Sequence, residues 1–357
     1  MPDFDWKLYS NSRESWEAMY DDCAKAKESI DFEMYIFDVD EIGQRFLDLF
    51  IKKSLEGVHV RLLFDMVGSY PFYISELPEE LSRSGIEVRF FNPVSPWRIP
   101  NFTSNFFRTH TKLLVIDQEI VHTGGVNIRD SMASWRDSNV RLQGGLAEEA
   151  GYIFARMWRV VEEGKFLPFR KHSVYVKNFA FRTNSPHLGQ RFVYNELIDV
   201  IRNAKKYVYL TTPYFVPDIR LLRVIRLAAK RGVDVRLLIP RNSNFKTADL
   251  AARSYFTLLL KSGVKIYRYT DSMLHAKTAV VDRSWAMIGS FNLDSLSLLF
   301  NYELNVVSDS EDFAFELQEI FMQDLQKSEQ VMAQEWYKRS YLRKSLEMVT
   351  WPIHKFL

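Results

Sequence analysis

Residues 109–127, THTKLLVIDQEIVHTGGVN, decide the fold because they occur twice. Residues 274–292 read LHAKTAVVDRSWAMIGSFN, so His110, Lys112, Asp117, Gly124 and Asn127 return at His275, Lys277, Asp282, Gly289 and Asn292, each displaced by 165 residues. A spacing repeated in register marks one structural unit used twice. In both copies the run between Lys and Asp (LLVI, TAVV) is apolar and rich in β-branched residues, as suits a buried strand. Side chains alternate along a strand, so His and Lys two positions apart share a face. The turns GGVN and GSFN follow, with Gly125 and Ser290 in matching places. Small residues there let backbone N–H groups and the Asn amides approach an anion.

The flanking sequence repeats too. In the first half a helical pattern from Ser12 to Glu28 precedes the strand IDFEMYIF, a helix from about Asp40 to Leu55, the strand VHVRLLFD, a helix near Leu77 to Arg83 and the strand IEVRFFNP. In the second, Asn195 to Ala204 is helical, Lys206 to Pro213 a strand, Asp218 to Arg231 a helix, VDVRLLIP a strand and VKIYRYT another. Alternating strands and helices predict an α/β fold with two pseudo-twofold-related halves. Each half is expected to be a mixed, mainly parallel sheet flanked by helices, with a single active site where the halves meet. The expected divisions are 1–163 for the first half, 164–193 for a basic linker, 194–330 for the second half and 331–357 for a basic, aromatic C-terminal tail.

Composition bounds the partners. The chain has 357 residues, 47% hydrophobic and 26% charged, which fits a soluble protein of two fused units. A net charge of +2 gives no whole-molecule footprint for nucleic acid. The single Cys23 excludes an intrachain disulfide and favours a reducing compartment. No run of 18 apolar residues is present, so any work at a membrane is expected from its surface. Three segments bear on that surface. The loop from Pro93 to Phe106, rich in Pro and aromatics, is either a self-packed loop or a lip that meets lipid. The stretch from Lys165 to Asn195 has no Asp or Glu and is either a solvated linker with one strand (SVYVKNFAF) or a binder of anionic headgroups or polynucleotide. The C-terminal helix, expected from about Ser310 to Glu347, either docks on the sheet or lies in a membrane plane.

Two imidazoles, two ammoniums and two carboxamides converging on one point describe a site for a phosphate diester. Lys112, Lys277, Asn127 and Asn292 would hold the non-bridging oxygens. One His can attack phosphorus while the other protonates the leaving oxygen and later deprotonates an incoming alcohol. Asp137 lies 27 residues after His110 and Glu303 lies 28 after His275, so each copy supplies one acid to orient a ring. Asp117 and Asp282 complete the catalytic motif, although their place at the far strand end suits pinning a turn better than touching substrate. Arg108 shares the face of His110 and has no basic counterpart at Met273. No clustered ligands point to a metal, and no cofactor is expected, the two Lys supplying the positive charge. His59, His122, His172, His187 and His354 have no twin and read as structural or surface residues.

The paired HTKLLVID and HAKTAVVD blocks, with GGVN and GSFN downstream, resemble the phospholipase D superfamily. More narrowly, TTPYFVPD, RGVDVRLLIP, MLHAKTAVVD, IGSFNLDS and NYELN are similar to bacterial cardiolipin synthases. The resemblance implies transfer of a phosphatidyl group between two phosphatidylglycerols through a covalent phosphohistidine, with release of glycerol and without metal. It implies His110 as nucleophile, His275 as acid/base, and Asn127, Asn292, Gly125, Ser290 and Arg108 in substrate binding. It also implies phospholipid as partner, no nucleic acid, and a peripheral place on the cytoplasmic side of the cell membrane. A single chain suffices for the site; oligomeric state is left open. Two departures from the family stand out: the two N-terminal transmembrane helices of many members are not seen in this sequence, and Leu296 occupies a place where the family often has Arg. A lipid hydrolase and a nuclease or other phosphodiesterase are the alternatives on the same residues, and a silent membrane-surface scaffold is a third.

Overall fold

The computed structural model describes residues 4–93, 106–164 and 175–339. The first half runs β1 (Asp5–Tyr9), α1 (Ser12–Ala24), β2 (Ser29–Met34), α2 (Glu41–Leu55), β3 (His59–Asp65), α3 (Tyr70–Tyr73), α4 (Leu77–Arg83) and β4 (Glu87–Phe91). It continues through β5 (Arg108–Thr109), β6 (Leu113–Ile116), β7 (Ile120–Gly124), β8 (Asn139–Gln143) and α5 (Ala147–Glu163). The second half opens with β9 (Phe179–Ser185), β10 (Gln190–Arg191), α6 (Phe192–Asn203), β11 (Tyr207–Thr211), β12 (Phe215–Val216), α7 (Ile219–Lys230) and β13 (Asp234–Pro240). There follow α8 (Lys246–Leu260), β14 (Lys265–Tyr269), β15 (Thr278–Val281), β16 (Trp285–Gly289), β17 (Leu293–Asp294), α9 (Ser295–Leu299), β18 (Asn301–Ser308), α10 (Glu311–Gln326), β19 (Ser328–Gln330) and α11 (Ala333–Tyr337).

Among the described residues the first sheet has the order β1-β8-β7-β6-β2-β3-β4, and the second β10-β9-β18-β16-β15-β11-β13-β14-β19. Both are mixed. Parallel pairing within these two orders is confined to β2-β3-β4 and β11-β13-β14, and the other neighbours run antiparallel. The antiparallel share comes from the motif itself, since a three-residue turn returns β6 to β7 and β15 to β16. In both turns two successive residues take positive φ, Asp117 and Gln118 in one, Asp282 and Arg283 in the other. Asp tolerates that region better than most residues with a Cβ.

Helix starts match as well. Asp40 accepts from the Gly43 N–H and Asp218 from the Leu221 N–H, each capping the helix that follows the first core strand of its half. One large apolar core fills each half, a third lies between the sheets, and a smaller fourth packs Tyr209, Leu238 and Tyr269 with Phe321 of α10. That shared core takes Leu113, Val115 and Val121 from one half and Ile288, Leu304 and Val306 from the other, with Phe154 of α5 and Phe313 of α10. Burying such side chains is worth about 1.5–3 kcal/mol each, so the halves are held as one body.

The sheets are mixed but mainly antiparallel, where mainly parallel ones were expected, and three further sequence expectations change. The strand expected at SVYVKNFAF begins later, at Phe179, because Lys177 and Asn178 turn the chain with positive φ. With β10 it joins the second sheet, so part of the expected linker belongs to that half. The helix expected to run from Ser310 to Glu347 ends at Gln326. There β19 pairs with β14, and the short α11 follows. The rest of the tail and positions 94–105 of the expected lip lie outside the described residues. Among the described residues no helix is long and apolar enough to cross a membrane.

Candidate active site

Each His-x-Lys segment is placed by backbone of the opposite half. β5 pairs in parallel with the start of β18, Arg108 opposite Asn301 and Thr109 opposite Tyr302. The next step sets His110 beside Glu303, and the His110 N–H donates to the Tyr302 carbonyl at 2.9 Å. The second copy does the same: Leu274 forms a parallel bridge with Arg136, and the His275 N–H donates to the Arg136 carbonyl at 2.8 Å. Asp137 then lies beside His275.

The orienting acids therefore cross between the halves. His110 Nδ1 is 3.1 Å from both Glu303 oxygens, and His275 Nδ1 is 2.6 Å from Asp137 Oδ2. An Nδ1–H donated to carboxylate leaves Nε2 as the reactive nitrogen. All four side chains are buried. Spacing supplied one acid per copy; the exchange of partners depends on register between strands distant in sequence.

The lysines come from the same strands. Lys112 Nζ donates to the His110 carbonyl at 2.7 Å, and Lys277 Nζ donates to the His275 carbonyl. Lys277 Nζ also lies 2.9 and 3.0 Å from the two ring nitrogens of His275. Burial, and then repulsion from Lys277, holds Lys112 well below the usual lysine range. Burial lowers Lys277 to about 8. Both imidazoles are lowered by burial and then by lysine charge, His110 well below its ordinary value and His275 to about 4. The site thus gathers cationic groups in a place shielded from water, an arrangement that an anion relieves.

The two acids are not equivalent. Asp137 stays below the ordinary range: burial pushes it up, but His275, Lys277 and the Ser138 N–H together outweigh that. Burial raises Glu303 to about 7. The turns differ beside the two acids, and the Ser290 hydrogen bond offsets only part of the rise that burial imposes on Glu303. Ser290 Oγ donates to Glu303 and accepts from the Leu304 N–H at 3.0 Å. At the matching Gly125 a Cβ would lie 2.2 Å from Asp137 Oδ1, so no side chain fits. Asn127 turns its carboxamide oxygen to the Ile36 N–H at 3.2 Å, which leaves its NH2 for a ligand. Asn292 is buried with its carboxamide oxygen unpartnered among the described residues.

Three expected site residues lie elsewhere. Asp117 accepts from the N–H groups of Lys27, Glu28 and Ser29, and Asp282 from those of Lys205, Lys206 and Tyr207, at the strand ends remote from the histidines. They are anchors of the chain's course and do not reach the reacting groups. Arg108 is turned to the Asp65 carboxylate at 3.3 Å and the Asn92 carbonyl at 2.9 Å.

Sequence reasoning missed several neighbours. Tyr35 and Tyr214, each just past the first core strand of its half, present rings to His110 and His275 at 4.9 and 6.5 Å between centroids, and Trp135 lies 5.1 Å from His275. Arg136 is clasped by Asp324 of α10 at 2.8 and 2.7 Å, fixing the residue before Asp137 across the domain boundary. The tyrosines fall one residue apart when the two halves are matched by strand register, so the repeat did not single them out, and the Arg136 clasp has no local signal. Among the described residues no three His, Cys, Asp or Glu side chains group as metal ligands.

Paired His-x-Lys strands, crossed carboxylates and two α/β halves define an enzyme of the phospholipase D superfamily. The family model described as "Cardiolipin synthase, PLD-like domain" matches residues 19–158 and 197–325. Cardiolipin synthase 1 of Bacillus anthracis is 32% identical over 96% of this chain and 70% of its own length. A cardiolipin synthase of Clostridium perfringens strain 13 is 32% identical over 97% and 75%. The crystal structure of the phosphatidylserine synthase of Haemophilus influenzae Rd KW20 superposes with a TM-score of 0.75, covering 99% of this chain and 95% of that one at 14% identity, a likeness of fold. The chain belongs to the cardiolipin synthase family of phospholipase D-like proteins.

Proposed function

We propose that this protein joins two phosphatidylglycerols into cardiolipin and glycerol from the surface of a membrane. In the first step His110 Nε2 attacks the phosphorus of one lipid, its Nδ1–H held by Glu303. The bond from phosphorus to the glycerol headgroup oxygen breaks, and His275 Nε2–H gives its proton to that oxygen. In the second step the terminal hydroxyl of another phosphatidylglycerol loses its proton to His275 and attacks phosphorus, breaking the P–N bond and restoring His110. Two lipids enter and one cardiolipin and one glycerol leave.

The observation that carries this reading is the exchange of carboxylates, which gives each imidazole one oriented, reactive nitrogen. The unequal acids support the division of roles. Ionised Asp137, 2.6 Å from His275, favours the histidine that must hold a proton. Glu303, raised by burial, favours a neutral His110. A diester between the lysines would offset their repulsion of His275, restoring its basicity. Lys112, Lys277 and the Asn127 and Asn292 amides would hold the non-bridging oxygens as charge grows on them.

Mass spectrometry of the lipid products after incubation with phosphatidylglycerol vesicles tests the proposal. Cardiolipin with an equal amount of glycerol is expected. Phosphatidic acid alone would assign the same site to hydrolysis, and plasmid cleavage without lipid products would assign it to a nuclease.

A further inference from the structure

The edges of the two sheets differ in character. β2 and β3, like β11 and β13, run parallel to each other and antiparallel to β6 or β15, so they finish at the edge where His110 and His275 begin their strands. The loops leaving that edge expose large apolar side chains: Val67 and Ile74 after β3, Ile219 at the start of α7, Phe245 after β13, and Leu296 and Leu299 beside the GSFN turn. Ile219 is 83% exposed and Ile74 62%, values at which a soluble surface gains nothing from an isoleucine. In the second half cations stand next in sequence to two of them, Arg220 beside Ile219 and Lys246 beside Phe245, both exposed.

The opposite edge is charged. Its turns carry Lys25, Lys27, Glu56, Lys205, Lys206, Arg231, Lys261 and Arg283; exposed large apolar side chains there include Leu55 and Phe315, the latter with the Arg283 guanidinium 4.2 Å from its ring. Sequence periodicity could not show this contrast, because the apolar residues come from separate loops.

We propose that the site edge is a lipid-docking face, with Ile74, Ile219, Phe245, Leu296 and Leu299 entering the acyl boundary of a phospholipid bilayer. Arg220 and Lys246 then sit at headgroup level, where anionic lipid attracts them. The occupant follows from continuity with the site and rests on the function proposed above: a diacyl lipid reacts at buried histidines, so its chains must leave through this edge. Docking there lets the headgroup reach the site while the chains stay in the bilayer. Two acyl chains need never be exposed to water.

Co-sedimentation with vesicles of equal phosphatidylglycerol and phosphatidylcholine tests the face directly and does not depend on turnover. Ile219→Asp combined with Phe245→Asp is expected to weaken binding at least about tenfold, since each exchange replaces an inserted apolar group by a charge. Both positions are exposed, so folding is preserved, as circular dichroism would verify. Leu55→Asp on the far edge is the control and should bind within about twofold of the parent. Equal binding by the double variant, or an equal loss in Leu55→Asp, would overturn the proposal. So would a double variant that binds vesicles normally but dissociates a dimer on light scattering, which would give the face to a second copy of the chain. Vesicle binding that depends on Ile219 and Phe245 without any lipid product would uphold the face and remove the cardiolipin assignment.

Discussion

At the scale of the residue, the site depends on which group each histidine touches. Asp137→Asn keeps the shape of the pair and removes the charge that orients His275 and supports its proton. A fall in kcat on the order of 10³ with little change in KM is expected, measured by release of glycerol from phosphatidylglycerol vesicles; a loss under tenfold would count against the role. Gly125→Ala adds one methyl group 2.2 Å from Asp137 Oδ1, so the carboxylate must move. Activity should fall with the unfolding temperature changed by only a few degrees, whereas equal loss of both would make Gly125 a folding residue. His110, Lys112, His275, Lys277 and the two Asn were legible because repetition singled them out. Asp137 and Glu303 were legible as a set by spacing, but their partners were not, since a carboxylate's target depends on a bridge between strands almost 200 residues apart. Arg108 misled for a related reason: its face was read from β5 alone, while Asp65 and Asn92 hold its guanidinium from other elements.

At the scale of the element, the two hairpins behave as matched anchors. Each Asp at the turn gathers three backbone N–H groups from the segment that starts the first core strand. Asp117→Ala and Asp282→Ala should each cost about 1–2 kcal/mol, read from urea unfolding, as expected for a lost multidentate cap. The kcat of the folded fraction should remain near the parent value. A specific fall in kcat at unchanged stability would restore these residues to the chemistry. Strands with long apolar runs and capped helices were legible because local pattern and burial agree. The end of α10 was not, because the apolar spacing continues past Gln326, and pairing of β19 with the edge of β14 overrides it.

At the scale of the whole molecule, the buried positive charge couples ligand binding to pH. Lys277 is lowered to about 8 in the folded protein from an ordinary 10.5. Between these values the unfolded chain binds more protons than the folded one, so stability from this group grows as pH rises and is lost as pH falls through about 8. A bound anion favours the protonated lysine and opposes that loss. Inorganic phosphate should therefore raise the unfolding temperature at pH 7, with an increment that shrinks as pH rises above about 8. An increment constant from pH 6 to 9.5 would show that the lysines do not hold the anion. The two-half architecture itself was legible from the repeat. The shared core between the sheets was not, because its apolar residues look like those of any strand buried on both faces.

The exchange of carboxylates has an evolutionary and practical consequence. Neither half owns a complete histidine–acid pair, so the ancestor of the repeat could have worked only as a pair of identical chains, and fusion made that association permanent. Substitutions at an acid and its histidine must now be matched across what were once two genes. A gene divided after Gly164 should yield two separately silent polypeptides whose mixture regains turnover, with the recovered rate following their association. The enzyme would then serve as its own split reporter.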